Sequence, residues 1–225
     1  MKRALVTAGS SDLGAALVEA LLADGHQVWA QYRSGRGALP ANAEGLRPVQ
    51  ADLGDEAGRE RLVAALGEGP LDVLIHNLGI YPETYIEDID LQTFRQIFEL
   101  SCTATFDLTQ RLLPTLRSSR GRVVCIGDSG ADRIEARAQA TPYHIAKLGL
   151  HVLTRTWAQR ESEVCFNMVS PGFLENSVGE PGEAIPKGRK GSFEDIVGAV
   201  RYLLSPEAAY VSGANLVVSG GWNLG

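Results

Sequence analysis

The chain has 225 residues, 44% of them hydrophobic and 21% charged, with a formal net charge of −6. That length buries one sizeable core, and an acidic balance without a long basic run argues against nucleic acid or an anionic membrane as partner. No apolar stretch approaches the length of a membrane span, and the N-terminus runs straight into a strand with no signal-peptide pattern, so a cytoplasmic protein is expected.

In chain order, seven short apolar runs read as strands: Arg3–Ala8, His26–Tyr32, Arg47–Asp52, Leu71–Asn77, Arg122–Ile126, Val164–Ser170 and Asn215–Ser219. Uninterrupted runs of this kind are buried on both faces, which predicts a parallel sheet with helices on each side. Helical stripes lie between them. Leu13, Leu17, Ala20 and Leu21 share a face, as do Phe193, Ile196, Val197, Val200 and Leu203. A longer pattern over Leu91–Leu113 carries Phe94, Ile97, Phe98, Cys102 and Phe106 and is expected to end near Pro114. Thr141-Pro142 predicts a helix start with Thr141 as hydroxyl cap, followed by a stripe of Tyr143, Ala146, Lys147, Leu150, Leu153 and Trp157. Ser34–Gly45 and Glu175–Gly191 carry no regular pattern. The whole chain, 1–225, reads as one α/β domain, with a mobile substrate loop around 173–191.

Cys102, Cys125 and Cys165 stand far apart in apolar segments and read as buried free thiols. His76, His144 and His151 have no metal-ligand spacing and read as core or solvated histidines, so no metal is expected.

The turn after the first strand is Thr7-Ala8-Gly9-Ser10-Ser11-Asp12-Leu13-Gly14. Small residues there let backbone approach a pyrophosphate seated on the free N–H groups of the helix that follows. The second strand ends at Arg33-Ser34, a cation and a hydroxyl where a carboxylate would select a bare ribose; this pair suits a 2′-phosphate and predicts NADPH rather than NADH. Tyr143 and Lys147 are four residues apart and share a helix face. A neighbouring ammonium lowers a phenol's pKa from about 10, which equips Tyr143 as a general acid or base.

These motifs, with "HNLG" (His76–Gly79), "SPG" (Ser170–Gly172) and "YVSGANLVVSGGW" (Tyr210–Trp222), resemble the short-chain dehydrogenase/reductase family over essentially the whole chain. The resemblance implies a doubly wound Rossmann-type sheet of seven strands, a nicotinamide cofactor, a small-molecule substrate and a homotetramer. It implies that Tyr143 is the proton donor, and that Lys147 holds the nicotinamide ribose and depresses the tyrosine pKa. It also places Asp52 and Leu53 beside adenine, Asn77 and Gly79 beside the ribose, and Pro171 and Gly172 beside the nicotinamide. The loop from Phe173 to Gly191 would close over substrate.

The chain also departs from the family. Ala8 and Asp12 replace two glycines of the turn, leaving Gly14, and Ser101 stands where a catalytic Asn is common. Asp128 occupies the place of a substrate-binding Ser, with Ser129 one step on. An Asp there with Tyr and Lys kept resembles the pteridine reductase and dihydromonapterin reductase branch, in which Tyr81 would stand against the pterin. The first expectation is therefore a dihydropterin-like C=N bond reduced by NADPH, with Asp128 orienting substrate or relaying a proton. The alternative is a carbonyl reductase or alcohol dehydrogenase with Ser129 polarising the carbonyl. A third reading is an NADPH-binding sensor without turnover.

Overall fold

The computed structural model describes every residue except 42, 179, 182, 183, 224 and 225. Seven strands form one sheet: β1 (Arg3–Val6), β2 (Gln27–Tyr32), β3 (Leu46–Gln50), β4 (Val73–His76), β5 (Arg122–Ile126), β6 (Cys165–Pro171) and β7 (Asn215–Val218). Their order is β3-β2-β1-β4-β5-β6-β7 and every pairing is parallel. Each parallel step needs a crossover, and helices supply it. The helices are α1 (Asp12–Ala23), α2 (Glu56–Leu66), α3 (Leu91–Phe98), α4 (Ala104–Ser119), α5 (Thr141–Arg160) and α6 (Phe193–Leu204). Two cores result, one on each face of the sheet. One gathers Leu62, Leu108, Leu116, Leu150 and Phe166, and the other gathers Leu17, Val18, Ile196 and Val200. This is the doubly wound α/β architecture expected from the seven apolar runs.

Local chemistry sets the helix starts. Ser11 accepts the N–H of Gly14, Asp55 that of Gly58, and Asp90 that of Thr93, while Ser192 and Asp195 form a reciprocal capping box. The sequence reading does not single out α2, because its buried residues, Gly58, Arg59, Leu62 and Leu66, make a poor apolar stripe. Arg59 is held there by Glu99, Asp107 and the carbonyl of Leu53.

Three local expectations are corrected. Pro114 lies inside α4, which runs on to Ser119. The Leu91–Leu113 stripe is not one helix face: a π-helical turn at Glu99–Thr103 inserts between α3 and α4 and shifts the register. Phe94 and Phe106 are consequently exposed, the first stacking on Phe98 and the second on Trp157. Thr141 does not cap α5; Ala140 does, in the left-handed region, and the Thr141 hydroxyl donates back to Arg137 O. The cap geometry follows from tertiary pairing, since Ala140 N–H is already bound to Thr84 O.

Of the 173–191 loop, positions 179, 182 and 183 lie outside the described residues. Its two ends are joined, with Glu175 N–H donating to Gly191 O and Gly191 N–H to Phe173 O.

Candidate active site

The strand order reverses between β1 and β4, and the crevice at the carboxyl ends of those strands is where doubly wound sheets bind ligands. The first strand enters it through Thr7, whose buried hydroxyl accepts the N–H of Asn77 at 3.0 Å. Ala8 N–H donates to Oε1 of Gln31 at 2.7 Å, and Gln31 Nε2 donates to Ala51 O at 2.7 Å. This buried glutamine ties together the ends of three strands. Sequence reading passes over it as a strand terminus, although a polar residue inside the apolar run "QVWAQY" is its signal. Asn77 Nδ2 donates to Ser11 Oγ at 3.0 Å, fixing the turn to β4.

The turn fits a dinucleotide. Asp12 and Leu13 open α1 with N–H groups that no helix can satisfy internally. A Cβ on Gly14 would lie 2.1 Å from Ala8 O, so only glycine lets α1 approach the turn this closely. Gly9 lies against Ala30, and Ser10 is met by Gly37, whose own Cβ would stand 2.3 Å from Ser10 O. The irregular segment after β2 thus folds onto the turn. Arg33 and Ser34 are exposed beside it. Asp52 is exposed and accepts Gly54 N–H, whereas Leu53 is buried.

Two departures from the family turn have visible consequences. Ala8 holds φ 47°, a left-handed conformation that costs a residue with a Cβ about 1 kcal/mol. Ala8→Gly is therefore expected to raise the melting temperature by roughly 2–4 °C, measurable by calorimetry. Asp12 accepts a hydrogen bond from Asn176 Nδ2 at 3.0 Å, which links the turn to the loop after β6 and partners a carboxylate that would otherwise face the cofactor groove alone. Asn176 carries no sequence signal of its own.

Further along the crevice, Tyr143 and Lys147 project from the first two turns of α5. Lys147 is buried, and its Nζ donates to Leu78 O at 2.9 Å and Ile126 O at 2.6 Å, pinning it to the ends of β4 and β5. Burial lowers its pKa to about 8, against an opposing pull from Asp128. Gly79 makes room for the pair, since a Cβ there would come within 3.2 Å of Lys147 Nζ and 3.4 Å of the Tyr143 ring.

The tyrosine corrects an expectation. Its pKa is raised, first by burial, then by the charge of Asp128 and by Tyr81, rather than depressed by Lys147. The ammonium lies 5.4 Å from the ring centroid with two carbonyls to serve, so it does not outweigh burial. Tyr143 is held as a neutral phenol.

Asp128 stands beside His144, whose ring lies edge-on to Tyr143 with centroids 5.4 Å apart. Its Oδ2 accepts Gly130 N–H at 3.1 Å and lies 3.4 Å from His144 Nδ1. Burial pushes its carboxyl up, but His144, the Gly130 N–H and Lys147 together hold it below its usual range, so it is ionised at neutral pH. Tyr81, half-exposed, sets its ring edge-on to Tyr143 at 5.1 Å and to His144 at 6.0 Å. His144 is thus neither a core nor a merely solvated histidine. Sequence reading missed it because only folding places Asp128 opposite it.

The remaining candidates separate. Ser129 is buried; its N–H donates to Pro171 O, and its Oγ accepts from Asn223 Nδ2 at 3.3 Å, facing the C-terminal segment. Ser101 is fully buried in the π-helical turn, with no hydrogen-bond partner for its Oγ among the described residues, so it presents nothing to the open crevice. Gly172 packs on Ser219, where a Cβ would lie 2.8 Å from Cβ of that serine, and Phe173 stands edge-on to Trp222 at 4.9 Å. His76 lies beneath, its Nε2 3.0 Å from Thr109 Oγ1, and burial lowers its pKa to about 3. Among the described residues no group of three His, Cys, Asp or Glu side chains is placed to hold a metal ion, and no helix is long and apolar enough to cross a membrane.

The family model described as enoyl-(acyl carrier protein) reductase matches residues 7–223. The 3-oxoacyl-[acyl-carrier-protein] reductase MabA of Mycobacterium avium is 31% identical over 236 residues, covering 98% of this chain and 89% of the relative. The 3-oxoacyl-[acyl-carrier-protein] reductase FabG of Escherichia coli is 31% identical over 239 residues, covering 98% and 96%. Among solved structures, the active-site complex of RhlG with NADP from Pseudomonas aeruginosa superposes with a TM-score of 0.88 at 28% identity, covering 99% of this chain and 96% of that one. These curated relatives are named for 3-oxoacyl reduction, where the sequence reading leaned to the pteridine reductase branch; they favour its carbonyl alternative. Fold, crevice and full-length likeness converge, and the chain belongs to the short-chain dehydrogenase/reductase family of oxidoreductases.

Proposed function

We propose that this protein is an NADPH-dependent carbonyl reductase acting on a 3-oxoacyl or similar ketone. The observation that carries the reading is the partly exposed Tyr143, its pKa raised so that the phenol stays protonated, beside the buried, strand-anchored Lys147 in the crevice where the strand order reverses. The turn Thr7–Gly14 would hold the pyrophosphate, Arg33 and Ser34 the 2′-phosphate, and Asn77, Gly79, Pro171 and Gly172 the nicotinamide half. The bound cofactor supplies the hydride. A phenol kept protonated suits the direction of reduction, because it has a proton to give to the carbonyl oxygen. Asp128 is an acceptor only while ionised, so the hydrogen bond to that oxygen falls to Tyr143.

An ionised Asp128 beside His144, which neighbours Tyr143, also favours a second reading, a substrate with N–H donors such as a dihydropterin. NADPH consumption with acetoacetyl-coenzyme A, a simple ketone and dihydropterins in parallel separates the two. Turnover of dihydropterins alone would displace the carbonyl reading.

Two expectations follow for the free enzyme. With Lys147 titrating at about 8, kcat/KM should fall as pH rises through that value, since the ammonium is lost. A pH profile that stays flat to pH about 10 would remove the role given to Lys147. Arg33→Ala should raise KM for NADPH about tenfold while leaving KM for NADH nearly unchanged, because only the former carries the phosphate that Arg33 would pair. Equal effects on both would refute the 2′-phosphate assignment.

A further inference from the structure

Gln31 stands next to the end of β2 and is 3% exposed, a depth at which a polar side chain needs partners. Both ends of its amide have one. Ala8 turns out of β1 in the left-handed region, and its N–H bonds to a side chain rather than to a strand: Gln31 Oε1 accepts it at 2.7 Å. The next N–H of the turn, that of Gly9, donates to the backbone carbonyl of the same glutamine at 2.7 Å. At the other end of the amide, Nε2 donates at 2.7 Å to the carbonyl of the fully buried Ala51, just beyond β3. An acceptor facing an N–H and a donor facing a carbonyl allow the amide a single orientation.

We infer that Gln31 is a positioning residue for the adenosine half of NADPH. This rests on the cofactor seat proposed above. Ala8 and Gly9 belong to the turn that would hold the pyrophosphate. Arg33 and Ser34, proposed for the 2′-phosphate, follow Gln31 along its own segment, and Ala51 leads into Asp52 and Leu53, the pair expected beside adenine. These three segments leave three different strands, β1, β2 and β3, and one buried amide bridges them all. Groups held in register before the ligand arrives spare it the cost of ordering them. Buried at that depth, Gln31 acts through the backbone it holds rather than by touching the cofactor. The charged and titratable groups on the same segments are Asp12, Tyr32, Arg33 and Asp52; Tyr32 is half-buried and the other three are exposed, where solvent screens them.

The test measures the Kd of adenosine 2′,5′-bisphosphate, which carries the adenosine half of the cofactor without nicotinamide, by calorimetry well below the melting temperature. Steady-state reduction of acetoacetyl-coenzyme A runs beside it. Gln31→Met keeps most of the volume and loses both bonds; it should raise that Kd and KM for NADPH about tenfold while KM for acetoacetyl-coenzyme A stays within about twofold. Gln31→Glu guards against a folding defect in the methionine variant. As a neutral acid it can still accept from Ala8 N–H and donate to Ala51 O, whereas as a carboxylate it sets an anion against that carbonyl. Burial raises a carboxyl pKa, so this variant should bind the bisphosphate within about threefold of wild type at pH about 6 and about tenfold more weakly than wild type at pH about 8. Comparison with wild type at each pH cancels the titration of the ligand's own phosphates. Wild-type affinity in both variants at pH about 8, a loss in Gln31→Glu that is equal at the two pH values, or KM for acetoacetyl-coenzyme A rising in step with the Kd overturns the positioning role. Wild-type protein that fails to bind the bisphosphate at all would bring down the cofactor seat itself, and the inference with it.

Discussion

Tyr143→Phe is expected to lower kcat by about 10²–10⁴-fold while NADPH still binds with nearly wild-type affinity. The phenol is the neutral acid that the crevice holds beside Lys147, and its ring remains in the phenylalanine variant, still edge-on to Tyr81 and His144. Packing is therefore retained and the transferable proton alone is removed. Kinetics read with fluorescence titration of NADPH distinguish the two effects. A variant that turns over at half the wild-type rate would show that the proton reaches substrate from elsewhere, and the function proposed for α5 would have to be redrawn.

Gly14→Ala should be nearly as damaging by a different route. The added Cβ would meet Ala8 O at 2.1 Å, Ser11 Oγ at 2.8 Å and Asn77 Nδ2 at 2.9 Å. The first contact is backbone and cannot swing aside, so α1 must shift away from the turn. That breaks the Ser11 cap and the Asn77 bridge, which together shape the pyrophosphate seat. Overpacking of this kind costs roughly 1–3 kcal/mol and occasionally more. The expected result is a melting temperature lower by several degrees and an NADPH affinity reduced by at least about tenfold. Thermal unfolding with and without NADPH checks both. A variant that melts at the wild-type temperature and binds normally would mean that the turn relaxes easily and is not the rigid cradle described.

How much of this was legible in the chain follows from what each signal depends on. The seven strands were readable because a strand buried on both faces must be apolar throughout, a purely local demand. The Tyr143–Lys147 spacing and the glycine-rich turn ahead of α1 were readable for the same reason, whereas the one cap expected, Thr141, gave way to Ala140. The π-helical turn at Glu99–Thr103 was not, since nothing in "ELSCT" differs from ordinary helix. The direction of the Tyr143 pKa was misjudged because spacing along α5 reveals the ammonium but not the two carbonyls from β4 and β5 that occupy it, nor the depth of burial.

By itself the sequence determined the architecture, the parallel sheet and the place of its crevice, because hydrophobic periodicity and turn chemistry act between near neighbours. It also determined which residue types stand at the ends of the strands. Only the tertiary structure decided which of them face each other. Asp128 turns to His144, sixteen positions later in the chain, and Ser129 to Asn223, although they are adjacent. Gln31 and Asn176 acquire their partners in the same way. Side-chain direction at a strand terminus depends on backbone packing from several distant segments, and that is information no local pattern carries.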